Sequence, residues 1–191
     1  EVTRAFFSQT AALETPAMGR AMRALVANPA DKAAAATIAD DEKYSSMLRT
    51  TCVATMLSGG HATNALPQLA EANVNCRIYP TETAEDVRAA LERVVGDTAV
   101  KVLIKTQRPS SPAATMTPEI MQPVNEITAS MWPGVPVVPT LSAGATDGRF
   151  LANIGIPTYG ITGQFRDGDG NGVHGLNERI RVKSFYEGHR F

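Results

Sequence analysis

The sequence is short of what several kinds of partner require. Lysine and arginine number 18 against 19 aspartate and glutamate, a formal charge of -1. That balance argues against nucleic acid, or an anionic membrane, held by bulk electrostatics. No uninterrupted apolar run approaches the roughly 18 residues that a spanning helix needs, so a membrane span is excluded. Two cysteines, Cys52 and Cys76, make neither a disulfide framework nor a structural zinc site by themselves, and their redox state is left open. The first residues lack the basic-then-apolar form of a signal peptide. The chain begins without Met and is expected to be a piece of a longer protein, whose leader would be lost, so the sequence assigns no compartment. What is present is 191 residues at 43% hydrophobic, enough for one or two domains with a buried core.

Local patterns divide the chain. Two short helices are expected within residues 1–48, around Met18, Met22 and Leu25 and then after Asp31. Residues 50–57 are β-branched and apolar, and 72–79 alternate, so two strands are predicted there. The second is expected to be half-buried on Val74, Cys76 and Ile78, turning Arg77 away from the core. Thr83 and Asp86 form a capping-box variant ahead of a helix over 84–95 that Gly96 ends. Alternation at Val100, Val102 and Ile104 predicts a further strand. The stretch Gln107–Ala113 has linker composition. Beyond it come a helix after Thr117, short strands over 135–141 and 157–162, a helical turn over 146–153 and a helix from Val182. Pro123 falls inside the first of these helices and should weaken it.

Three segments can carry chemistry. In the first, Gly59-Gly60 leads to Asn64, whose amide can bond a carboxylate or carbonyl. Arg77 follows with a planar fork suited to a carboxylate; a hairpin loop with a surface Arg is the plain alternative. The second is Gly144-Ala145-Thr146-Asp147-Gly148-Arg149. Its backbone N–H groups, and Arg149 beside them, suit an anion or oxyanion, and a simple strand-to-helix connection is the alternative. The third is His174 in a Gly/Asp-rich loop, a neutral imidazole of the kind zinc prefers. The same loop, Asp167-Gly-Asp169-Gly-Asn171-Gly172 with Glu178, satisfies the calcium-loop pattern of an EF-hand. No helix is expected to enter it, His174 stands where an apolar residue is usual, and there is no second loop.

In this order the three segments resemble the co-catalytic zinc metallopeptidases that include aminoacylases, glutamate carboxypeptidases and succinyl-diaminopimelate desuccinylases (peptidase family M-twenty). The resemblance covers residues 50–191. It implies an α+β lid (a sheet with helices on one face) that dimerises, residues 1–107, joined to the C-terminal part of an α/β zinc-peptidase domain, residues 108–191. It further implies His174 as a zinc ligand, Asn64 as a substrate contact that in some members acts across the dimer, and Arg77 as the grip on the substrate carboxylate. Gly144 and Arg149 would line the pocket. The family's His-x-Asp, bridging Asp, Glu-Glu pair and remaining ligand are not in the chain, nor is the lid's own histidine, a role His61 does not inherit. The implied activity is zinc-dependent hydrolysis of a peptide or N-acyl amino acid with a free carboxylate, on two metal ions about 3.5–4 Å apart, by a homodimer. The chain alone is expected to be inactive and free of stoichiometric zinc. A non-catalytic dimerisation or binding module, and a calcium-loop protein, are the alternatives.

Overall fold

The computed structural model describes residues 2–106 and 114–191; the linker-like stretch Gln107–Ala113 lies outside the described residues. The chain separates into two units, residues 1–113 with 138–155, and residues 114–137 with 156–191.

In the first unit four helices, not two, precede the first strand: α1 (Val2–Thr10), α2 (Pro16–Ala27), α3 (Lys32–Ala39) and α4 (Glu42–Ser45). Each start after the first is capped by a short polar side chain. Thr15 accepts from the Met18 N–H at 3.4 Å, Asp31 from Ala34 at 2.9 Å and Asp41 from Lys43 at 2.9 Å. These bonds satisfy donors that a helix start leaves without partners. The helices enclose the core, formed by Phe7, Ala11, Ala21, Met22, Ala34, Ile38, Tyr44 and Met47. Alanine lets α2 and α3 approach closely. At Gly19 a Cβ would stand 2.2 Å from the Ala11 carbonyl oxygen, so only glycine allows α2 to meet the end of α1.

Tyr44 anchors this core. Its ring lies 5.9 Å from Phe6 and 6.2 Å from Phe7. Its hydroxyl donates to Glu14 and accepts from Lys43 Nζ at 2.5 Å. Burial raises the Tyr44 hydroxyl above its ordinary pKa, and the bond to Tyr44 raises that of Lys43. Above about pH 10 the unfolded chain loses these protons first. Both groups therefore stabilise the fold below that pH, and their contribution disappears as the pH rises through the raised values. The urea midpoint should fall above about pH 10, and Tyr44→Phe should flatten that fall; an equally steep decline in the variant would refute the assignment.

Strands β1 (Thr51–Gly59) and β2 (Ala70–Arg77) pair antiparallel, with an irregularity between Ala54 and Met56. Thr50 closes the base of this hairpin: its Oγ1 accepts from the Tyr79 N–H at 2.7 Å and donates to Glu82 at 2.5 Å. Cys52 and Cys76 face each other in the ladder with Cα atoms 4.1 Å apart and are joined as a disulfide. Helix α5 (Ala84–Val95) carries the expected capping box from Thr83 and Asp86 and ends on Gly96 in the left-handed region.

Several expectations are corrected. The sheet has two strands among the described residues, and no helix packs on either face. Helices and an antiparallel sheet are present as expected for the lid, but among the described residues no helix covers a sheet face, and β2 is more exposed than expected, with Val74 at 41% exposure. Residues 100–104 alternate but find no ladder partner and stay irregular; alternation sorts side chains and cannot supply a partner for the backbone. Residues 135–141 and 157–162 are also irregular. Pro136, Pro139 and Pro157 lack the N–H that a ladder needs.

In the second unit α6 (Pro118–Met131) runs through Pro123 unbroken. The proline, six residues in, forfeits one intrahelical bond, and the helix continues on the bonds either side of it. Helix α8 (Val182–Arg190) packs on residues 162–165, where Ser184 Oγ accepts from the Phe165 N–H at 2.7 Å. Trp132 meets Phe165 and Phe191, with ring centroids 5.0 and 5.5 Å apart. A Cβ at Gly188 would lie 2.9 Å from the Thr162 carbonyl oxygen.

Candidate functional site

Asn64 lies exposed in a turn of the loop joining β1 to β2. That loop begins with Gly60 at φ 75°, a conformation glycine adopts without strain. Arg77 is at the far end of the ladder, opposite Thr51, and is exposed. The hairpin thus sends the two residues out from opposite ends.

Gly144 precedes α7 (Gly148–Asn153) on an irregular segment, and its N–H donates to Ser142 Oγ at 3.2 Å. Arg149 sits in the first turn of α7, with its guanidinium carbon 4.6 Å from the Phe150 ring centroid. Its Nε is buried and has no hydrogen-bond partner among the described residues, a donor that costs free energy until something accepts from it. No hydrogen bond or ion pair joins any two of Asn64, Arg77, Gly144 and Arg149 among the described residues.

His174 is exposed, on a loop that turns back on itself, and takes a left-handed conformation at φ 64°. Its N–H donates to Glu178 Oε2 at 3.3 Å. Asp167 and Asp169, which the sequence offered as calcium ligands, are paired instead with Arg181 and Arg179. The bond from Arg179 holds the Asp169 carboxyl below the usual carboxylate range. Among the described residues no group of three or more His, Cys, Asp or Glu side chains could hold an ion. His174 offers one imidazole nitrogen, and among the described residues no others stand with it to make a zinc cage.

Two features escaped the sequence. The disulfide depends on a strand register, and the Asp–Arg pairs depend on a loop closing. Neither leaves a signal in spacing alone.

Comparison with known proteins agrees with the resemblance of the motifs. Residues 12–103 match the model described as a peptidase dimerisation domain, of the M-twenty kind. The N-fatty-acyl-amino acid synthase/hydrolase PM20D1 of Mus musculus is 32% identical over 143 residues, 73% of this chain and 28% of that protein. The same-named protein of Homo sapiens is 28% identical over the same shares. The probable carboxypeptidase S-like 2 of Dictyostelium discoideum is 26% identical over 139 residues, 72% of this chain and 27% of that protein. The chain thus spans under a third of the length of these relatives. No solved structure matches it.

Proposed function

We propose, from the match of residues 12–103 to a peptidase dimerisation domain, that this chain is the lid and the C-terminal catalytic segment of a zinc-dependent amidohydrolase. In this reading the lid is residues 1–107 and the catalytic segment residues 108–191. The substrate is a peptide or an N-acyl amino acid with a free carboxylate, the class to which the names of the PM20D1 and carboxypeptidase-like relatives belong. Arg77 supplies a bidentate fork for the carboxylate; Asn64, leaving the other end of the hairpin, contacts substrate across the dimer; Gly144 lines the pocket, and Arg149 offers its unpaired Nε. His174 supplies one zinc ligand. The remaining ligands and the general base would come from the rest of the full-length protein.

The observation that carries the dimer is one face of the hairpin. Ala54, Leu57, Ala70, Ala72 and Val74 lie on it with the disulfide and no charged side chain. Leu57 is 81% exposed and Val74 41%. An uncovered apolar face beside open strand edges is a surface made for a partner. A second copy of the same hairpin would cover it with two-fold symmetry.

Sedimentation should find the chain dimeric at micromolar concentration, and Leu57→Asp should weaken association about tenfold or more, roughly 1.4 kcal/mol. A monomer in both proteins would reject the homodimer. The chain alone should show negligible hydrolysis of an N-acyl amino acid, while the full-length protein should turn it over and lose that activity with His174→Ala. Turnover by the chain alone, or an active His174→Ala enzyme, would reject this assignment.

A further inference from the structure

The calcium-like sequence 167–178 has a use that needs no calcium. Its residues are folded with four left-handed positions close together: Gly170 at φ 74°, Asn171 at 63°, Gly172 at 62° and His174 at 64°. Two of these carry side chains, and such conformations persist only where their surroundings hold them.

Asn171 is the centre of what holds them. It is 5% exposed. Its Oδ1 accepts from the Asp167 N–H at 2.5 Å, its N–H donates to Asp169 Oδ1 at 3.1 Å, and its carbonyl accepts from the Arg179 N–H at 3.0 Å. Gly172 tolerates no side chain, because a Cβ would stand 2.9 Å from the Asn177 carbonyl oxygen. Its own carbonyl accepts from the Gly175 N–H at 2.8 Å. The neck of the loop is closed twice, by Arg179 on Asp169 and by Arg181 on Asp167.

We propose that Arg179 and Arg181 are the built-in cations of this loop: their guanidinium groups take the carboxylates that a calcium ion would otherwise gather, and so hold His174 at the apex in its left-handed conformation. Arg179 gives Asp169 a directional N–H donor, and Arg181 stands against Asp167 as an ion pair without a directed hydrogen bond, where a calcium ion needs six to eight oxygens around one point. Asn171, turned inward to bond the backbone, is withdrawn from that set. The assignment of Arg179 and Arg181 as positioning residues stands on the loop alone; only what His174 then binds rests on the hydrolase reading above.

The test is amide hydrogen exchange on the 191-residue chain. Arg179→Gln with Arg181→Gln should speed exchange at Gly175, Glu178 and Arg179 about tenfold, as expected for two partly exposed ion pairs, with the amides of α2 and α3 unchanged. Reversing one pair, Asp169→Arg with Arg179→Asp, should recover part of the protection that Asp169→Arg alone removes, the part owed to the ion pair rather than to the Asn171 N–H bond to Asp169, a rescue that general unfolding does not allow. Millimolar calcium added to the native chain should leave these amides unaffected. Calcium-induced protection in the native chain, or unchanged exchange in the double glutamine variant, would overturn the proposal. If the loop loosens as expected while the full-length His174→Ala protein stays active, the hydrolase role of His174 fails and the arginine clamp stands.

Discussion

Phe7→Ala is expected to lower the stability of the first unit by about 3–5 kcal/mol, the range for removing a fully buried aromatic ring. Phe7 is 1% exposed, and its ring packs edge-on to Phe6 at 5.8 Å and to Tyr44 at 6.2 Å. The core around it is small, with several alanines that cannot swing into the space left behind. A loss of that size is a large fraction of the whole stability of an ordinary domain, about 5–15 kcal/mol. Urea unfolding followed by far-ultraviolet circular dichroism measures it, with Phe7→Leu as the control that keeps most of the volume and should cost under about 1.5 kcal/mol. A loss below about 1 kcal/mol for Phe7→Ala would mean that the four-helix core is not packed as described.

The second large effect is expected at the disulfide. The bond joins residues 24 apart in the chain, and closing a loop of that size removes unfolded-state entropy equivalent to about 3.5 kcal/mol. The hairpin has unusual need of it. A two-stranded sheet without a covering layer is marginal by itself, and no helix covers this one among the described residues. Cys52→Ser with Cys76→Ser should therefore lower the unfolding free energy by about 2–4 kcal/mol and abolish exchange protection along β1 and β2. The native protein should show no thiol reactive to Ellman's reagent until it is reduced. Two reactive thiols in the unreduced protein, or an unchanged unfolding midpoint in the double serine variant, would refute this.

Helix α5 was legible in full because every determinant is local: the Thr83–Asp86 reciprocal bonds, the apolar stripe and the Gly96 stop act within a few residues of each other. β1 and β2 were legible as strands from composition and alternation. Their burial was not, since alternation states which side chains share a face and says nothing of whether a layer covers it. Val100 to Ile104 shows the same limit, with the pattern of a strand and no partner. The early helices were undercounted because α1 has no capping residue ahead of it and α4 is a single turn, so packing around Phe7 and Tyr44 declares them.

The candidate site divides along the same line. Asn64, Arg77, Gly144, Arg149 and His174 were named as candidates from residue type and order, and the match to a peptidase dimerisation domain covers residues 12–103, where the first two of them lie. The opposite ends of the hairpin from which Asn64 and Arg77 depart came only from the ladder register. The carboxylates of 167–169 point the same lesson. In one dimension they read as calcium ligands, because spacing encodes a ligand set but not which cation is at hand. Ten and fourteen residues further on, the folded loop brings Arg179 and Arg181 back to Asp169 and Asp167.

Sequence by itself determined the helix caps and the two strands, and offered the candidate motif residues, since these depend on neighbours within a few positions or on order along the chain. Tertiary structure alone decided the Cys52–Cys76 bond, the uncovered apolar face and the Asp–Arg closure around His174, because each joins residues through a register or a loop closure that no local preference specifies.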